Sequence, residues 1–283
     1  MAEVKRSSNL PEKIGVVVFF IVCLVLFTYL QFPYDTFRGR LENTLSQATG
    51  RTVTLGRVHS RLLFGFKVDG MSIDNVAWAK ELILKPHLFS LMTGRIGMDA
   101  KALFPSGSLA CSFDKPYGST KRPVYAKIRL DNFDSSLIQP LFSAGIQPKG
   151  LITGSIELMG PNTFLGEMSG KSSIVWSNGF FPLPGSQLPL DGLAFKTMEM
   201  NSRIERGLIT LEKMELKGNM SGTMSGAVRM MDPFARSRLN LTGTMNLSPG
   251  SDSSSGAGFQ QGLKFSLRGT LERPRFRLLS APG

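Results

Sequence analysis

The sequence predicts a mainly β fold: a single N-terminal transmembrane helix, then a curled antiparallel sheet forming a groove, half-barrel or sandwich, with one or two short helices. Three observations carry this. Residues 14–34 contain no charged side chain. From Arg51 onward apolar and polar residues alternate with a period of two, the mark of strands that bury one face. The 30 Gly and 16 Pro among 283 residues imply many turns and short elements. At 42% hydrophobic the chain can bury a sizeable core, as one large domain or two modest ones.

The apolar run IGVVVFFIVCLVLFTYLQF suffices for a helix of about 20 residues across a hydrocarbon core. Lys5, Arg6 and Lys13 precede it, against Glu3 and Glu12, so residues 1–13 form a cytoplasmic tail by the positive-inside bias. The rest of the chain then lies across the membrane. A cleaved signal peptide fits less well, because the run exceeds the usual apolar region and TYLQFPYD offers no small-x-small cleavage site. Tyr29, Phe32 and Tyr34 suit an aromatic belt at the far interface.

Residues 35–50 read as a short amphipathic helix, with Phe37, Leu41, Leu45 and Ala48 at helical spacing and Gly50 at the C-cap. Its apolar stripe is expected to pack on the first strands. Residues 51–283 form the β-rich domain, beginning with Val53 and Leu55, then Phe64, Phe66 and Val68, then Met71 and Ile73. The stretch SSLIQPLFSAGIQPKG interrupts the alternation and suggests halves at 51–135 and 150–283. Residues 248–262, SPGSDSSSGAGFQQG, have the composition of a flexible connection.

Gly recurs inside the apparent strands, in ITGSI, MSGTM, LTGTM and LRGTL. Period-two counting puts Gly154, Gly222, Gly226, Gly243 and Gly269 on the apolar face itself. An in-strand Gly weakens the strand and marks a bend, a bulge or a close approach by a ligand or another backbone. Two outcomes obey that rule. The notches let the sheet curl and leave space over its inner face, or they relieve packing in an ordinary core. In the first case Met220, Met224, Leu241, Met245, Leu263, Phe265 and Leu267 line an apolar groove, where Met adapts to acyl chains of varied length.

The net charge of +12 suits an acidic partner such as anionic lipid. The basic residues are scattered singly, without a basic helix or a basic run interleaved with aromatics, so nucleic acid is not expected as a partner. No catalytic, metal or cofactor site is legible. His59 and His87 lack a partner pattern, and Cys23 and Cys111 have no metal spacing or thiolate setting. GEMSGKSS has three residues, not four, between Gly166 and the Gly170-Lys171 pair, so it fails as a phosphate loop. Glu212 and Glu215 read as solvated strand charges. With 2 Trp and 4 Tyr, the chain is poorly supplied for the aromatic girdles of an outer-membrane barrel.

The segment LENTLSQATGRTVTLGRVHSRLLFGFKVDGMSIDN, directly after the apolar run, resembles the start of AsmA-like proteins, with Gly70, Met71, Ile73 and Asn75 in a recurring turn. The closing LRGTLERPRFRL is similar to that family's ending. The single anchor, the length and LIQPLFSAGIQPKGLITGSIELMG resemble more closely still the GspN family of the type II secretion system. The resemblance implies a single-pass protein of the bacterial inner membrane, with a cytoplasmic N-terminus and a periplasmic bulk. It further implies a non-enzymatic accessory or scaffold role beside other type II secretion components. For AsmA-like proteins the implied role is lipid binding and transfer, with phospholipid acyl chains on the apolar face. The chain is short for a free-standing bridge between membranes, which favours the accessory role.

Overall fold

In a computed structural model, the structure describes residues 33–61, 65–118, 123–141, 147–161, 165–182, 192–218, 220–231, 236–247 and 262–279, with helical residues 15, 16, 19, 20, 23 and 27. Most of the 14–34 segment and nearly all of the 248–262 connection lie outside the described residues. Of that first segment, Val16, Phe19, Phe20 and Phe27 are helical and exposed. No helix among the described residues is long and apolar enough to cross a membrane.

Helix α1 (Tyr34–Thr49) ends at Gly50, whose φ of 66° lets its N–H donate to the Ser46 carbonyl at 2.9 Å. Tyr34 opens this helix and packs against the first core together with Phe37, Leu41 and Leu45. The strands follow as β1 (Val53–Arg61), β2 (Gly65–Ile73), β3 (Val76–His87), a five-residue helix α2 (Leu88–Met92), β4 (Arg95–Phe104), β5 (Gly107–Pro116) and β6 (Val124–Asp134). After a 3-10 segment (Ser135–Leu141) come β7 (Lys149–Gly160), a 3-10 turn (Leu165–Glu167), β8 (Ser169–Pro182), β9 (Gly192–Glu205) and β10 (Leu208–Lys217). The last four are β11 (Met220–Arg229), β12 (Arg238–Leu247), β13 (Leu263–Thr270) and β14 (Pro274–Leu279).

All 14 strands belong to one antiparallel sheet in strict chain order. The sheet is not closed, and among the described residues no second sheet faces it, so the sandwich alternative falls away. Such a meander arises where each strand can pair with the next through a short connection. The pairs Asp74-Asn75 and Arg206-Gly207, both with positive φ, have the backbone twist that two-residue hairpins require. The two suggested halves are continuous, since β6 pairs with β7 through Val124↔Gly160 to Asp134↔Leu151.

Apolar side chains gather on one face. Around β1–β4 the core comprises Val53, Leu55, Val68, Leu82 and Leu84 with an edge-to-face series Trp78, Phe104 and Phe133 at centroid distances of 4.9 and 5.1 Å. A second core gathers Ile152, Trp176, Phe195, Met198, Leu211, Met214, Leu239 and Leu241. Leu130 and Ile138 touch both. The interruption in the strand pattern therefore joins the two cores: the Trp78 indole donates to the Leu137 carbonyl at 3.1 Å.

Candidate apolar ligand site

Among the described residues the second core is not filled. Between β8 and β14 lies a cavity of 270 Å³ whose walls include Trp176, Met198, Met214, Met224, Leu241 and Phe265, with Ser221 as the single hydroxyl. Six strand spacings of about 4.8 Å would set β8 and β14 roughly 29 Å apart in a flat sheet. Trp176 of β8 and Phe276 of β14 nevertheless line one cavity, so the sheet curls. An apolar cavity of about 150 Å³ stays dry and takes up a benzene-sized ligand. This one is larger.

Met224, Leu241, Met245, Phe265 and Leu267 of the predicted groove line the cavity. Leu263 packs beside Met245 and Phe265 without lining it. The Met220 backbone pairs with Leu247, and its side chain is outside the described residues. The residues that sequence reasoning missed include Trp176, Phe195, Met198, Met200, Met214 and Leu216 of β8–β10, and Val228, Leu239 and Phe276 of β11, β12 and β14. The sheet register shifts between Leu211 and Lys213, and this bulge brings Leu211 and Met214 to the same cavity although they are an odd number of residues apart. Period-two counting cannot follow that.

The register also shows what surrounds the notches. Gly222 lies opposite Met245, Gly226 opposite Leu241, and Gly243 between Met224 and Phe265. Gly269 faces Leu239, and Gly154 lies between Leu130 and Ile174. Each notch thus faces a large side chain on a neighbouring strand. At Gly243 an added Cβ would meet the Phe265 ring and the Thr223 carbonyl, both at 2.6 Å. The space left by that glycine is occupied by Phe265 and the neighbouring backbone. Of the five, only Gly222 lines the cavity.

The polar groups elsewhere form pairs on the strand surfaces. His59 Nε2 lies 2.6 Å from Asp69, and His87 Nε2 lies 2.7 Å from Asp99, which also accepts a hydrogen bond from Ser112 at 2.6 Å. In the second group the carboxylate stands between imidazole and hydroxyl, so the histidine does not reach the hydroxyl as a base must in a serine triad. Burial works to raise the Asp99 carboxyl, but the bonds from Ser112 and His87 outweigh it and hold the group below its usual range. Burial, then the nearby Asp99 charge, pushes the Cys111 thiol up, away from the reactive thiolate. Glu212 pairs with Arg203 at 2.9 Å, and Glu215 with Lys213 at 3.1 Å. Among the described residues no group of histidine, cysteine or carboxylate ligands is placed to hold a metal.

Comparison of the chain with models of known protein families, with curated proteins and with solved structures finds no match.

Proposed function

We propose that this is a non-enzymatic, membrane-anchored protein that holds an acyl chain against the apolar face of its curled sheet. The observation that carries the reading is the cavity behind Phe276, lined almost wholly by apolar side chains at the open end of the sheet. Five methionines, Met198, Met200, Met214, Met224 and Met245, are in its wall. Such side chains repack around chains of different length and saturation. The apolar run at residues 14–34 would anchor the chain in a bacterial inner membrane, N-terminus in the cytoplasm and sheet in the periplasm, within reach of lipid.

A photoactivatable fatty acid carrying a diazirine near its methyl end, added to membranes containing the full chain, tests the reading. Cross-links are expected in peptides bearing Met198, Met214, Leu241 and Phe265, and should fall when Val228→Trp fills the cavity. Labelling confined to residues 14–34 would overturn it.

A second reading is favoured by the resemblance of LIQPLFSAGIQPKGLITGSIELMG to GspN. On it the protein is an accessory or scaffold of type II secretion, and the cavity serves that assembly. Deleting the protein from a host with that pathway should lower secreted cargo; unchanged secretion would count against it.

A further inference from the structure

The charges of the sheet are unevenly matched. Several basic residues on β2–β10 meet carboxylates: Lys67 with Glu81 at 3.0 Å, Lys127 with Glu157 at 2.7 Å and Arg203 with Glu212 at 2.9 Å. The strands β11–β14 contain no acidic residue at all. Arg229, Arg238 and Lys264 lie elsewhere on these strands, but four arginines gather at the last hairpin, whose turn also carries the exposed Glu272. Arg268 and Arg275 are direct cross-strand partners, Arg277 lies two residues further along the same face, and Arg273 stands in the connecting turn. With Ser266 and Thr270 they line a hollow of 510 Å³ on the face opposite the apolar cavity. All four arginines are exposed, and none meets a carboxylate among the described residues.

Like charges placed directly opposite on neighbouring strands destabilise a sheet. An anion between them reverses the sign of that interaction, and guanidinium groups match phosphate oxygens bidentately. The placement of the cluster adds a second argument. β14 is the last strand of the sheet, and its side chains alternate: Pro274 and Phe276 line the apolar cavity, while Arg275 and Arg277 line the hollow. One strand separates an apolar space from a cluster of arginines, and no strand among the described residues pairs with its outer edge.

We propose that Arg268, Arg273, Arg275 and Arg277 bind the phosphate of a lipid headgroup whose acyl chain enters the cavity past Phe276, so that the lipid straddles the free edge of β14. The site selects lipids that carry a phosphate over neutral lipids with the same chains. This inference rests on the acyl-chain reading above and adds to it the side chains that hold the headgroup.

The test uses the full chain in a neutral detergent, with a phosphatidic acid bearing a fluorescent acyl chain, the diacylglycerol with the same chains, and inorganic phosphate as competitor. Wild type should bind the phosphatidic acid at least about tenfold more tightly than the diacylglycerol, as charge-assisted hydrogen bonds require. Arg275→Gln with Arg277→Gln should remove the preference and leave diacylglycerol binding as it was. Lys80→Gln with Lys101→Gln lowers the net charge equally and should leave the preference intact. Equal binding of both lipids by wild type, or a preference that survives the arginine substitutions, would overturn the headgroup site while the acyl-chain reading stands. Binding of neither lipid would overturn both. Arginine-dependent phosphate binding in that case would identify a free-phosphate site instead.

Discussion

At the first edge of the sheet, β1 is covered by α1. The Glu42 carboxylate accepts the Leu55 N–H at 2.7 Å, and the Ser46 hydroxyl accepts the Val53 N–H at 3.0 Å. Phe37 stacks on Phe66 at 4.7 Å, and the core beneath is filled by the Trp78, Phe104 and Phe133 rings. At the other edge β14 has no strand or helix beside it among the described residues, the apolar face behind it is hollow, and the opposite face carries unmatched arginines. An uncovered edge offers unpaired backbone groups to any passing chain. Sheet proteins blunt such edges with helices, charges or proline. Here one edge has the helix and the other has Pro274, Arg275 and Arg277. The helix seals its end, whereas proline and charge repel strands yet leave the way to the cavity open.

The contrast is sharpest where a large side chain is removed. Phe133, only 2% exposed, fills the sealed end, and Phe133→Ala should cost about 3–5 kcal/mol. Phe276 is half-buried over a space already empty, so Phe276→Ala should cost roughly 1–2 kcal/mol. Urea unfolding of both variants checks this; equal losses would dissolve the distinction between the ends.

Next in size is Gly243→Ala. The new methyl would press on the Phe265 ring and the Thr223 backbone, and the expected loss is about 1–3 kcal/mol by overpacking, although Ala is the less flexible residue. A neutral or stabilising effect would mean that the notch is open space.

Glu42→Ala unseats the helix from the β1 edge. A loss of about 1–2 kcal/mol is expected from the broken charge-assisted bond, together with self-association seen by light scattering. A variant that stays monodisperse would show that the edge needs no cover.

The smallest effect is electrostatic. Asp99, Asp74 and Glu157 are held below their usual values, Asp99 by Ser112 and His87 against burial, Asp74 chiefly by Arg51, and Glu157 chiefly by Lys127. A depressed carboxyl contributes stability that is present above its unfolded pKa, about 4 for these groups, and lost as pH falls through the folded value. Stability should therefore fall below about pH 4, and Asp99→Asn should flatten part of that fall. Urea midpoints at pH 7 and pH 3 decide it; a variant with an unchanged pH dependence would remove Asp99 from the account.

Much of this was legible in particular residues. Phe37, Leu41 and Leu45 with Gly50 marked α1 almost to its ends, because helix spacing and a left-handed cap are local properties. The alternation in β1, β6, β12 and β13 marked their buried faces, because the strand period is local too. Met224, Leu241, Met245, Phe265 and Leu267 were reached in the same way. Trp176, Met198 and Met214 were not, since joining them to Leu241 needs the curl of a sheet several strands wide, and the bulge in β10 breaks the count on which the alternation rests.

The sequence by itself determined that strands would form, which face the regularly alternating ones would bury and where the first helix would stop. Tertiary structure decided the rest, from the single 14-stranded order to the cavity behind Phe276. The glycines show the division most clearly. Their place on the apolar face follows from counting by two, but whether a notch is empty depends on the register of the next strand, and Phe265 lies opposite Gly243. That register is an agreement between two segments, set by turns, bulges and side-chain packing, and no single stretch of chain contains it.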